Sequence, residues 1–366
     1  MRILRNYFLK EFIGPLVLSL SVLTFVMLLG NLIKIADLVI CKGVDIFSVS
    51  KLFIFMIPYL LTYTLPVAAL AAVLMSIGRL SGDNEIVAIK ASGVHIFSLI
   101  LPILIVGVIL SLMLVVFNDR VMPYAHYATR KTLMEVGIKN PTAALESGVY
   151  IDTFKDYVLF IYHVDQKKNK LSNVRIFEPQ PNNKTRTIVA KSGEFISIPE
   201  KNIIKLKLME GTSDEPDPKN PNIFYKLNFK NYFMTLNLEQ LEGKDKIKKK
   251  PKDMTINELR QEIQKRQKEG IDASPLWGEI NEKISLAFSC FVFILLGLPL
   301  AIFTRRREKT INFGLAFLLV GTYYLLLIGA EALSEYGHLN PALAAWIPNL
   351  IFGLGGAILT FSICAF

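Results

Sequence analysis

Charge-free stretches and polar sequence alternate along this chain in a three-plus-three arrangement. Asp, Glu, Lys and Arg are absent from Phe12–Ile33, Leu52–Gly78, Ile96–Asn118, Ile284–Thr304, Thr310–Ala330 and Leu339–Phe366. Each stretch is about 20 residues or longer, enough for an α-helix to cross a hydrocarbon layer roughly 30 Å thick. Between the third and fourth lies Asp119–Lys283, charged and rich in Lys, Asn and Pro. The pattern predicts a multi-pass membrane protein with a water-facing domain at its midpoint.

Inside that polar stretch the signal changes to that of strands. Gly148–Phe154, Tyr157–Val164, Asn173–Phe177, Thr187–Ile198, Ile203–Met209 and Phe224–Leu238 are β-branched or aromatic and bounded by Gly, Pro, Asn and Asp. Ile204, Leu206 and Leu208 alternate with Lys205, Lys207 and Met209, and Tyr225, Leu227 and Phe229 with Lys226, Asn228 and Lys230. Period-two alternation gives each strand one apolar and one polar face, as in a sandwich or open barrel. A Lys-rich linker, Gly243–Asp253, follows. Thr255 and Glu258 have capping-box spacing, so a helix is expected from there to Lys268, stopping at Gly270. The expected class is therefore α+β, with six transmembrane helices in two sets of three and an inserted β domain. Residues 1–118 hold helices one to three, 119–277 the β domain and its following helix, and 278–366 helices four to six.

Composition changes this picture little. The net charge of +10 fits basic residues beside membrane spans, which meet anionic headgroups and set topology; no nucleic-acid motif accompanies it. Of three cysteines, Cys290 and Cys364 lie in apolar runs and Cys41 in a short loop, so neither a disulfide framework nor a metal set is expected. Arg2, Arg5 and Lys10, then Arg79 and Lys90, then Arg305–Arg307 and Lys309 fall on one side of the spans. Both termini are expected in the cytoplasm and the β domain outside it.

Catalytic motifs are missing. There is no phosphate-binding G-x-x-x-x-G-K-[ST], no H-E-x-x-H and no G-x-S-x-G, and His95, His126, His163 and His338 are scattered. No catalytic, metal or cofactor site is expected, and any energy must come from a partner. The segment Arg79–Gly93, RLSGDNEIVAIKASG, predicts a short helix over 83–92, capped by Asp83 or Asn84. Ile86, Val87 and Ile89 give it an apolar face, and Glu85 lies in its first turn. It is either a helix lying on the membrane or a coupling helix that docks into a motor protein. Lys34, with Asp37 three residues on, is either a snorkelling ion pair or a contact for a phosphorylated headgroup.

These features together resemble the permease subunits of the lipopolysaccharide-export ABC transporter. The resemblance spans essentially the whole chain and is strongest at Asn84–Gly93 (NEIVAIKASG), Leu296–Arg307 (LGLPLAIFTRRR) and Lys34–Asp37 (KIAD). It implies a bacterial inner-membrane protein that pairs with a paralogous permease and is driven by a cytoplasmic ATPase dimer, which binds the ATP. The complex lifts lipopolysaccharide from the outer leaflet, through a periplasmic β-jellyroll, to a periplasmic jellyroll bridge toward the outer membrane. Glu85, Asp83, Ile86 and Ile89 then become the ATPase-coupling residues. Lys34 becomes a phosphate contact, and Leu206, Leu208, Leu227 and Phe229 the acyl-chain lining. Asn140-Pro141 followed by Leu145 and Gly148 is closer to the F-type permease than the G-type. The rival reading is a membrane-anchored receptor or assembly factor whose β domain binds a protein.

Overall fold

The computed structural model describes residues 2–40, 44–139, 148–154, 157–165, 170–179, 185–198, 203–216, 224–236, 241–242, 246–247, 249–303 and 309–365. Helices α1 (Arg2–Ile40), α2 (Ile46–Gly82), α3 (Glu85–Ala91) and α4 (Ile96–Lys139) precede the strands. Strands β1 (Tyr150–Phe154), β2 (Tyr157–Asp165), β3 (Lys170–Pro179), β4 (Thr185–Ile198), β5 (Ile203–Pro216), β6 (Phe224–Leu236), β7 (Leu241–Glu242) and β8 (Lys246–Ile247) come next. A 3₁₀ turn (Pro251–Asp253) then leads to α5 (Ile256–Lys268), α6 (Ser274–Phe303), α7 (Lys309–Glu335), α8 (Pro341–Ala344) and α9 (Ile347–Ala365). The chain divides into two compact units. One is Met1–Gly30, Phe55–Tyr127 and Lys249–Phe366; the other is Asn31–Ile54 and Ala128–Lys248.

Among the described residues six helical segments are long and apolar enough to cross a membrane, in α1, α2, α4, α6, α7 and α8–α9. They coincide with the six charge-free runs. The helical unit is organised around α6. Gly356 of α9 lies so close to it that a Cβ there would stand 2.9 Å from the Leu296 backbone nitrogen. Membrane helices associate through such close approaches, because lipid offers no hydrophobic drive between them. A buried polar link adds direction. The Tyr323 hydroxyl donates to Asn349 Oδ1 at 3.0 Å, and Asn349 Nδ2 donates to the Ser285 carbonyl at 2.7 Å, tying α7, α9 and α6 together. Cys290, fully buried, belongs to the same apolar core. Near the linker, Thr255 and Glu258 form the expected capping box at the start of α5, and Gly270 follows its end with φ of 70°.

In the second unit, β1 to β6 form one antiparallel sheet in strict sequence order, a meander without crossovers among the described strands. It covers all six strand segments expected from alternation. The alternation does not run through, however. The ladder skips one residue per strand at a single level, namely Tyr162, Asn173, Lys191, Glu210 and Lys230, while the register on either side is unchanged. Asn173 and Glu210 take left-handed backbone, with φ of 53° and 51°. Across this line the buried side changes parity: Ile161 is followed by Val164, Leu171 by Val174, Ala190 by Gly193 and Phe195, Leu208 by Ser213. An unpaired residue re-aims the side chains of one strand; set in five neighbouring strands at one level, it creases the whole sheet.

The crease folds the meander onto itself. On a flat sheet Arg186 lies level with Tyr225, since its neighbour Thr187 pairs with Asp214 and Asp214 with Lys226. Tyr232 is then about seven residues further along, roughly 23 Å at strand spacing. In the structure the Arg186 guanidinium sits 5.9 Å from the centre of the Tyr232 ring. Residues from both sides of the crease, including Leu159, Ile176, Leu171, Leu206 and Leu208, share one apolar cluster. Both leaves therefore bury the same core.

Candidate functional site

The short helix α3 is stitched between α1 and α2. It spans Glu85–Ala91, shorter than the expected 83–92. Asn84, at its N-cap, adopts left-handed backbone with φ of 59° and makes no side-chain cap. The expected Asn84 capping bond is therefore not made; the turn into α3 carries backbone bonds that close α2, Asp83 N donating to the Arg79 carbonyl and Asn84 N to that of Ser81. The apolar face divides. Ile86 is buried, and Ile89 packs half-buried against the same core, so both anchor the helix from below. Val87, Ala88 and Lys90 are exposed, as are Asp83 and Asn84. Glu85 is half-buried, and its Oε2 accepts the Tyr7 hydroxyl at 3.0 Å.

Midway along α4, a polar cluster fixes the linker that returns from the strands. Asn118 Nδ2 donates to the Lys283 carbonyl at 3.1 Å, and Thr62 donates to Asn118 Oδ1 at 2.9 Å. Lys283, only 4% exposed, donates through Nζ to the Met254 carbonyl at 2.5 Å. Asp119 accepts from the Ile256 backbone nitrogen at 2.6 Å. The fully enclosed Asp253 carboxylate lies 2.6 Å from His126 Nδ1. Burial works against the Glu258 carboxylate, but Lys249 and the Thr255 backbone N–H outweigh it and hold the carboxyl below its ordinary range. Segment 249–256 is thus clamped to α4 and α6. Lys283→Met keeps the length and removes the donor. It is expected to cost about 1–3 kcal/mol, read as a lower thermal midpoint of the solubilised protein; an unchanged midpoint would show that the clamp contributes nothing.

Sequence reasoning missed this cluster because Glu279, Glu282 and Lys283 precede the charge-free run, although α6 begins at Ser274. The available signal was the alternation of Leu276 and Ile280 with those charges. Beside it, a cavity of about 760 Å³ is lined by Glu279, Glu282, Glu331, Glu335, Lys252 and His338 among others. Among the described residues no group of three or more His, Cys, Asp or Glu is placed to hold a metal ion.

In the sheet unit the expected lining residues separate into two kinds. Leu206 and Leu208 are fully buried between the leaves and form part of the packed core. Leu227 is 55% exposed, although it lies on the inward row that runs from Ile151 through Leu159, Ile176, Ile188 and Ser213. The apolar interior therefore reaches the surface along β6. Phe229 is half-buried there, its ring 5.3 Å from Tyr232 and against Gly211, where any Cβ would collide with it. Arg186 sits at the rim, donating to the buried Ser213 hydroxyl at 2.9 Å with Glu178 at 3.5 Å. This edge can receive an alkyl chain, with charged groups beside it for a polar head. Lys34 belongs to α1, but its side chain and that of Asp37 fall outside the described residues.

Comparison with known proteins completes the picture. The family model for the lipopolysaccharide export system permease LptF/LptG matches residues 6–361. The lipopolysaccharide export system permease protein LptF of Escherichia coli (strain K12) is 22% identical over 351 residues, covering 96% of this chain and 92% of that protein. LptF of Shigella flexneri gives the same figures. An uncharacterised protein of Rickettsia prowazekii (strain Madrid E) is 24% identical over 195 residues, 53% of each chain.

Proposed function

Because the chain belongs to the lipopolysaccharide export system permease LptF/LptG family, we propose that it is one permease subunit of an ABC transporter that moves lipopolysaccharide out of the inner membrane. The observation that carries this reading is the family match along nearly the full length, over three helices, a β insert and three helices. The chain acts in its F-type form, beside a paralogous permease, with α3 and both termini in the cytoplasm and the creased sheet in the periplasm. The folded meander serves as the jellyroll that receives the lipid and passes it to a periplasmic bridge of similar domains.

Energy enters through a partner ATPase pair docked at α3. Glu85 is the charged contact, Asp83 flanks it, and Ile86 and Ile89 hold the helix at the right height. Lys34, at the other end of the first charge-free run, meets a phosphate of the lipid. Each CH₂ moved out of hydrocarbon costs roughly 0.8 kcal/mol, so withdrawing several acyl chains needs both a driven step and an apolar acceptor. The edge at Leu227 and Phe229 is that acceptor.

Purification in mild detergent followed by mass spectrometry tests the proposal. Recovery of a second permease, an ATPase and lipopolysaccharide is expected. Recovery of periplasmic proteins alone, with neither ATPase nor lipid, would favour a receptor or assembly factor instead.

A further inference from the structure

Helix α1 is buried against its own helical unit mainly along its first turns. Its buried positions are Phe8, Phe12, Leu16 and Ser19, a narrow stripe at helical spacing. From Leu20 to Gly30 none of its residues is buried. By contrast, the most apolar window of α2 is 78% buried, against 6% for that of α1. Higher up, only the half-buried Leu20 and Leu23 pack on the core and Thr24 Oγ1 lies 3.2 Å from Thr64 Oγ1, a lighter hold than that of the foot.

That foot is bound to the α2–α3 turn by a polar ring. The Tyr7 hydroxyl donates to Glu85 at 3.0 Å, and Arg79 Nη2 donates to Glu11 at 2.5 Å. The Arg79 side chain also lies beside the Tyr7 hydroxyl. Tyr7 and Glu11 are four residues apart, on one face of α1 beside the anchoring Phe8 and Phe12. The ring thus closes over the end of α2, the first residue of α3 and the first turns of α1. Hydrogen bonds to charged groups are the stronger and more directional kind, so a shift of Glu85 is carried to α1 rather than absorbed in the turn.

We propose that Tyr7 is a positioning residue for coupling: through its bond to Glu85 and beside the Arg79–Glu11 pair, it transmits movement of α3 to the foot of α1. This inference rests on the reading of Glu85 as the ATPase contact. α1 is then driven at its foot from the docking turn.

The test uses the intact complex with its ATPase, comparing Tyr7→Phe, Glu11→Gln, Glu85→Ala and the Tyr7→Phe/Glu85→Ala double variant. Three quantities are read: ATPase capture, ATP hydrolysis, and ATP-dependent release of lipopolysaccharide to a soluble acceptor. Tyr7→Phe keeps the ring and its packing, so capture and hydrolysis should stay near wild type. Release per ATP should fall about tenfold, the scale of one lost hydrogen bond to a charged group. Glu11→Gln should reproduce that uncoupling, and the double variant should be no worse than Glu85→Ala. Wild-type release per ATP from Tyr7→Phe beside a defective Glu85→Ala, or losses that multiply in the double variant, would overturn the inference alone. Wild-type capture and release from Glu85→Ala would remove the docking reading, and the inference with it.

Discussion

Leu206→Asp is expected to unfold the creased sheet, whereas Leu227→Asp should leave it folded and impair only lipid capture. Leu206 is fully buried and pairs with Phe195 and Met234 on its two sides. Truncating such a leucine costs about 2–5 kcal/mol, and an unpaired carboxylate in the same space adds several more. That total is comparable to the whole stability of a domain, about 5–15 kcal/mol. Trypsin sensitivity at Lys205 and Lys207, which flank the site, reads the result directly. Leu227, more than half exposed at the open edge, should lose no more than about 1 kcal/mol on the same change. Equal protease sensitivity of the two variants would contradict the division between packed core and open edge.

The second large effect is expected at α3. Glu85→Arg should cut recovery of the partner ATPase more than about tenfold while the helical unit stays folded. The substitution puts a cation into a half-buried position where the docking reading needs an anion, and opposed charges across an interface cost several kcal/mol. It also removes the acceptor of the Tyr7 hydroxyl and places a second guanidinium near Arg79. Ile86 and the core beneath it are untouched, so thermal stability in detergent should change little. Undiminished ATPase recovery would move the docking site away from this helix.

The parts of the molecule visible in its sequence are those fixed by local constraint. A bilayer excludes charge over about 20 residues, so Ile96–Asn118 marked a span even though α4 continues through Asp119 to Lys139. Period two marked the strands, and Thr255 with Glu258 marked the start of α5, because both signals lie within a few residues of each other. The crease was hidden for the opposite reason. Leu206 and Leu208 give way to Ser213 on the buried side, a slip of one position that means nothing until five strands are aligned at the same level. The Asn84 cap failed because left-handed backbone there takes its side chain out of capping geometry. The polar groups that fix α3 and the middle of α4 join residues far apart in the chain. Tyr7 meets Glu85 across 78 positions, and Asn118 meets Lys283 across 165; neither pair leaves a periodic trace.

Site-specific photocrosslinking in the assembled transporter offers the most direct check on a lipid path along β6. With a crosslinker at Leu227, lipopolysaccharide should be captured when ATP is supplied and lost when hydrolysis is blocked. The adjacent Lys226, on the other side of the strand, should capture none. Absence of lipid at Leu227, or equal ATP-independent capture at both positions, would contradict the account.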